Sequence, residues 1–127
     1  MPAEFILPEG LPKPPTYTPV VRNGNTVYIA GQTAQNERGE VVGKGDPTAQ
    51  AEQIFDNLRK CLASAGGSFQ HLVKITVFLT DARFREPVAA VRAKYLKEPF
   101  PASTLVVVAG LANPDYLLEI EGIAVVD

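Results

Sequence analysis

The spacing of hydrophobic residues changes period several times along this chain. In NGNTVYIAG (23–31), Val27 and Ile29 alternate with Tyr28, the period of a strand. Asn23-Gly24 ahead of it is a hairpin-turn pair, and Gly31 and Gln32 end the strand. From residue 51 the period becomes helical: Ala51, Ile54, Phe55, Leu58, Leu62 and Ala65 form one apolar stripe. Asp46 is a natural N-cap for that helix, Pro47 fits where no N–H is needed, and Gly66-Gly67 supplies a left-handed stop. LVKITVFLTD (72–81) returns to period two and predicts a strand with Val73, Ile75, Val77 and Leu79 on one face. Lys74, Thr76 and Phe78 then lie on the other. A second helix is predicted over about residues 84–97, with Pro87 in its first turn and Phe84, Val88, Val91 and Tyr95 on its buried side. FPASTLVVVAG (100–110) reads as a buried strand entered through a proline, and LLEIEGIAVV (117–126) as the last strand. The Pro-rich opening through Pro19 reads as extended chain on the surface, and NERGE (36–40) as a turn flanked by short strands.

The order strand, strand, helix, strand, helix, strand, strand predicts an α+β fold, one mixed sheet with two helices on one face. The chain, residues 1–127, is long enough for one domain and too short for two. Two helices cover one sheet face. The other face, largely apolar, is expected to be buried in an oligomer.

Composition narrows the function classes. Net charge is −2 with no cluster of Lys and Arg, so nucleic acid is not expected as a partner. No apolar run reaches the roughly 18 residues of a membrane span, so no membrane association is expected. The N-terminus lacks the basic-then-apolar pattern of a secretory signal. With one Cys and one His in the chain, an internal disulfide and a multi-histidine metal site are both ruled out. No CxxC or HExxH spacing is present, so no metal is expected; a Ser-His-Asp triad could run only through His71, and without GxSxG it is not expected. A lone cysteine suits a reducing cytoplasm, the expected location.

The chemistry-bearing candidates are few. Glu119 and Glu121 share one sheet face with Ile123 and Val125, while Ile120, Gly122, Ala124 and Val126 suit packing under the helices. The glutamates therefore project from the face expected to meet a neighbouring subunit. They are either solvated or paired to a lysine, or one of them is a carboxylate in a partly apolar cleft with a raised pKa. Tyr17, in PPTYTPV, is held by prolines at 14, 15 and 19; it either covers an apolar seam or faces a ligand. Gly31 would let a ligand approach the backbone, or is a simple turn. Cys61, one position off the helical stripe, reads as a packing residue, and His71 as exposed.

Taken in order, TYTPVVRNGNTVYIAGQ (16–32), GEVVGKGDPTAQAEQIFDNLRKCLASAGGS (39–68), LVKITVFLTD (72–81), FPAST (100–104) and LEIEGIAVV (118–126) resemble the Rid family. This family is also called YjgF or reactive-intermediate deaminase proteins. The resemblance covers nearly the whole chain. It implies a chorismate-mutase-like (YjgF-like) α+β fold and a homotrimer whose sheets form a central β-barrel, with ligand clefts between subunits. It further implies hydrolysis of amino-acid enamines and imines to 2-keto acids and ammonia without metal or organic cofactor. Carried across, Tyr17 matches the tyrosine at the cleft, Glu119 the glutamate that positions or activates water, and Gly31 the glycine near the bound carboxylate.

One motif departs from that family. Where active deaminases carry PARS followed by a cysteine or similar residue, this chain has Ser103 at the arginine's position and Leu105 at the cysteine's. A hydroxyl makes one neutral hydrogen bond where a guanidinium makes a charged pair, a difference of about 2–5 kcal/mol for a buried carboxylate. Ser103 and Leu105 are the expected ligand contacts on this strand, and weak activity on simple amino-acid imines is the expectation. A replacement anchor could come from Arg22, Arg83 or Arg85. Two functions remain: a deaminase-like hydrolase acting through Glu119 on a non-standard small metabolite, and a non-catalytic trimer that binds small metabolites or acts as an interaction protein. The endoribonuclease activity attached to the family is disfavoured by the acidic balance and the single His.

Overall fold

The computed structural model describes residues 2–127. Eight elements follow one another: β1 (Glu4–Ile6), β2 (Val20–Asn23), β3 (Thr26–Gln32), α1 (Pro47–Ser64), β4 (Leu72–Leu79), α2 (Arg85–Tyr95), β5 (Ala102–Val107) and β6 (Leu118–Val125). The strands form one sheet in the order β1-β2-β3-β6-β4-β5. Every pairing is antiparallel except β4–β5, which is parallel and uses α2 as its crossover. This is the expected α+β sheet with both helices on one face. β1 lies in the Pro-rich opening, which the sequence pattern did not mark as a strand; with three residues it is too short to show a period.

Helix α1 forms where its sequence signals place it. The Asp46 side chain accepts the Ala49 N–H, Pro47 opens the helix, and Gly66 at φ +79° takes the left-handed turn beyond its end. All six residues of its apolar stripe are buried against Val20, Val27, Ile29, Ile75, Val77, Leu79, Leu118 and Ile120 of the sheet. Cys61 is fully buried too, and burial pushes its thiol pKa up to about 12, so it packs and does not react. Phe55 stacks on Tyr95 with ring centroids 5.1 Å apart, and this contact joins α1 to α2.

Two predicted orientations are corrected. Val73 does not join Ile75, Val77 and Leu79: a β-bulge between Leu72 and Lys74 makes it the extra residue, 47% exposed, and Leu72 takes the buried position. The stretch around Ser103 is a strand but not a buried one. β5 is the sheet's edge, paired with β4 alone, and all six of its residues are exposed. Its Val/Leu content led to the opposite reading, because apolar runs mark inner strands more often than edges.

Two buried polar residues of α1 organise the loops around the site. Gln50 donates to the carbonyls of Gly43 (3.1 Å) and Asp115 (2.9 Å) and accepts the Leu117 N–H (2.9 Å). Asn57 donates to the carbonyls of Thr33 and Gln35. Loop backbone that would otherwise be buried without partners is thereby satisfied. Gln50→Leu preserves bulk and strands three backbone groups. It is expected to cost roughly 2–3 kcal/mol in urea unfolding at fixed protein concentration. A loss under about 0.5 kcal/mol would show that those loops hold without Gln50.

Candidate active site

The site begins at an irregularity in the sheet. β3 and β6 pair regularly from Thr26 to Ile29, then shift register so that Ile29 faces Gly122 and Gln32 faces Ile120. Ala30 and Gly31 are therefore the extra backbone of a bulge opposite Glu121. Gly31 lacks a side chain for a steric reason: a Cβ there would lie 2.0 Å from Glu119 Oε2 and 2.7 Å from its carboxyl carbon. The Glu119 carboxylate lies directly over the backbone of the bulge.

Alternation along β6 is as the sequence predicts. Leu118, Ile120, Gly122 and Ala124 are buried under the helices, and Glu119, Glu121, Ile123 and Val125 point to the open face. Glu119 is half-buried and makes no hydrogen bond or ion pair among the described residues. Burial first, and the neighbouring Glu121 charge second, raise its pKa above the ordinary carboxylate value. Lys74, which lines a depression on the open face with Glu121, is committed elsewhere: its Nζ donates to the Ile75 carbonyl and to Thr104 Oγ1.

Tyr17 completes this cluster. It is 57% exposed, and with Gly31, Thr33 and Gln35 it lines a depression of 200 Å³ roofed by Pro12, Pro14 and Pro15. Partial burial, then the charge of Glu119, then Tyr116, raise its phenol pKa. Tyr116 is itself buried, with its hydroxyl taken by the Gln35 amide. Sequence reasoning missed Tyr116, since ANPDY reads as loop.

Ser103 and Leu105 lie elsewhere. They are in register with Ile75 and Val77, so they face α2, whereas Thr104 and Val106 face the open side. Both line a second depression, of 460 Å³, with Val77, Val88, Leu96 and Phe100. Within one chain this depression and the Tyr17–Gly31–Glu119 cluster are on opposite faces of the sheet. Of the three arginines considered as anchors, Arg22 is bound to the carbonyls of Gly24 and Ala65, and exposed Arg83 is paired with Asp81. Arg85 lines the Ser103 depression. So does Arg92, missed from the sequence, which donates from Nη1 to Ser103 Oγ at 3.0 Å. The signal was present: Arg85 and Arg92 are seven apart, hence on one helix face. His71 is half-buried, and its Nδ1 accepts the Ser68 N–H at 2.9 Å.

Among the described residues no group of three or more His, Cys, Asp or Glu is placed to hold a metal, and no helix is long and apolar enough to cross a membrane. A family model described as endoribonuclease L-PSP matches residues 12–126. The chain belongs to this family, the YjgF or Rid proteins. A Rid relative from Acinetobacter baylyi, named 3-aminoacrylate deaminase RutC, is 38% identical over 125 residues, covering 98% of both chains. One from Dermatophagoides farinae, named 2-iminobutanoate/2-iminopropanoate deaminase, is 31% identical, covering 87% of this chain and 86% of its own. The crystal structure of RidA from the Antarctic bacterium Psychrobacter sp. PAMC 21119 superposes with a TM-score of 0.90 at 38% identity, over 97% of this chain and 99% of that one. The Rid fold here is thus the YjgF fold.

The electrostatics of Glu119 carry a stability consequence. Its folded pKa is raised, so the folded state holds the proton more tightly than the unfolded state. That contribution is present below the ordinary carboxylate range and is lost as pH rises through the folded value. Glu119→Gln lacks the ionisation. Its stability relative to wild type is expected to be higher at pH 7 than at pH 4 in paired urea titrations. A difference that stays flat or runs the other way would mean that the carboxylate has a partner stabilising its charge.

Proposed function

We propose that this chain assembles as a homotrimer and hydrolyses a small enamine or imine to a carbonyl compound and ammonia, with Glu119 carrying the proton. The observation behind this reading is an unpaired, half-buried carboxylate held over glycine backbone beside a tyrosine. A carboxyl group with a raised pKa can donate a proton and take it back near neutral pH. For an enamine, protonation at carbon gives the iminium. Water, losing a proton to Glu119, adds to the iminium carbon, the one bonded to nitrogen. The carbinolamine then collapses, the C–N bond breaks, and ammonia leaves with the returned proton. Tyr17 and Gly31 bound the space in which the substrate lies.

The named substrates of the Acinetobacter and Dermatophagoides relatives are an enamine and imines that carry a carboxylate. The same class is proposed here. Cleavage of RNA is disfavoured: the one histidine is engaged by the Ser68 N–H, and the chain carries net charge −2. A single buried thiol suits the cytoplasm as its compartment.

Assembly is supported by what the chain leaves uncovered. Leu105, Val106 and Val107 are exposed on an edge strand, and Tyr28 and Val125 on the open face. Such surfaces favour pairing with another copy. A neighbouring subunit's β5 would also bring Ser103 and Leu105 toward Glu119, which one chain keeps apart. Light scattering is expected to give three times the 13.7 kDa chain mass; a stable monomer at micromolar concentration would sink the shared-cleft reading. Ammonia release from 2-iminobutanoate generated in situ is expected to fall at least about 100-fold in Glu119→Gln and to change little in Glu121→Gln. If Glu121→Gln were the damaging change, the proton carrier would be the other glutamate.

A further inference from the structure

We propose that Arg92, positioned by Ser103 and backed by Arg85, is the anion anchor of this chain and seats the carboxylate of a small ligand with an apolar body. This rests on the imine-hydrolase reading for the identity of the ligand, and on the following geometry for the anchor itself.

Arg85 and Arg92 stand two turns apart on one face of α2, with Ala89 between them and Ala93 beside Arg92. The two alanines leave the space that the depression occupies, and the longer side chains border it. Neither guanidinium has an acidic partner among the described residues, and the other charged side chains of this helix and its approach do not line the depression. Glu86 is exposed, Lys94 is paired with Glu52, and Arg83 is paired with Asp81. No acidic residue lines the depression. Its remaining walls are Val77, Val88, Leu96, Phe100 and Leu105. Two unneutralised cations facing an apolar pocket select an anion with a short hydrocarbon body over a hydrated inorganic ion.

Arg92 is also partly desolvated, and burial alone pulls its pKa down from the ordinary guanidinium value, yet it remains charged at any working pH. Its one hydrogen bond within the described residues is to a neutral hydroxyl. That bond fixes the fork without cancelling its charge. Ser103 thus acts as the positioning residue for a guanidinium arriving from the helix. With Arg92 as the anchor, recognition of carboxylate-bearing imines is expected despite the hydroxyl at position 103. Hydrolysis balances as imine plus water giving the 2-oxo acid plus ammonia. The carboxylate is unchanged and stays on Arg92 throughout.

The test is binding of 2-oxobutanoate, its uncharged amide and inorganic phosphate to the intact protein by calorimetry or NMR, beside ammonia release from 2-iminobutanoate. Arg92→Ala is expected to weaken 2-oxobutanoate at least ten-fold, Arg92→Lys less, and Ser103→Ala a few-fold, with the amide bound poorly by all. Arg92→Gln, which preserves length, serves if the alanine variant loses its fold, and Arg83→Ala is expected to match wild type. Unchanged 2-oxobutanoate binding in Arg92→Ala and Arg92→Gln, no detectable binding by wild type, or equal binding of phosphate would each overturn the inference. Arg92-dependent binding without ammonia release would overturn the hydrolase reading and leave the anchor standing. Ammonia release indifferent to Arg92 would do the reverse.

Discussion

The absence of a side chain at residue 31 is the constraint from which the candidate site follows. A Cβ there would occupy the position of a Glu119 carboxylate oxygen. With glycine in the bulge, the carboxylate folds down onto backbone and loses water on that side without gaining a cationic partner. Its pKa rises for that reason, with Glu121 adding like charge from the next position on the same face. A bulge in an otherwise regular ladder is therefore what gives a strand glutamate a raised pKa, the property that the proposed proton-carrying role draws on. The rest of the sheet holds the two strands in that shifted register.

The register depends in turn on groups remote from the carboxylate. Gln50 and Asn57 are buried on α1, and the amide N–H groups of both are spent on loop backbone carbonyls. Asn57 holds the chain just after β3, at Thr33 and Gln35, and Gln50 holds the chain just before β6, at Asp115 and Leu117. One helix thus fixes the end of β3 and the start of β6, between which Gly31 and Glu119 lie. A helix whose core stripe were the same but whose 50 and 57 positions were apolar would pack the sheet equally well and leave those loops unsatisfied.

Much of this was legible in the sequence, for reasons that differ by element. α1 was readable because cap, proline, stripe and glycine stop all agree. β6 was readable because its alternation is clean, and that alternation placed Glu119 on the open face. β1 was too short to show a period, and the bulge at Val73 inverted one residue that strict alternation had assigned to the core. β5 misled through composition: an edge strand with an apolar sequence looks like an inner one until its neighbours are known. Arg92 does not stand out in the sequence because the helical periodicity of α2 marks the residues it buries, not the face beside them, where Arg85, Ala89 and Arg92 recur.

On the proposed reading, Ser103 and Glu119 belong to one cleft that a single chain cannot close. Across β4, Ser103 pairs with Ile75 and Glu119 with Phe78, on opposite faces of the sheet, and no side-chain motion carries a group through a hydrogen-bonded ladder. A substrate touching both must lie between copies, with its anionic end against α2 of one and its reacting carbon against the bulge of another. In the trimer proposed here, apolar edge residues such as Leu105 and Val106 serve both ends. Their burial drives association and at the same time dries the space in which Glu119 and Arg92 act, strengthening the charge interactions of each. Assembly and chemistry then draw on the same exposed strand. An edge that would be an aggregation hazard in a monomer is, on this account, retained because the site is built from it.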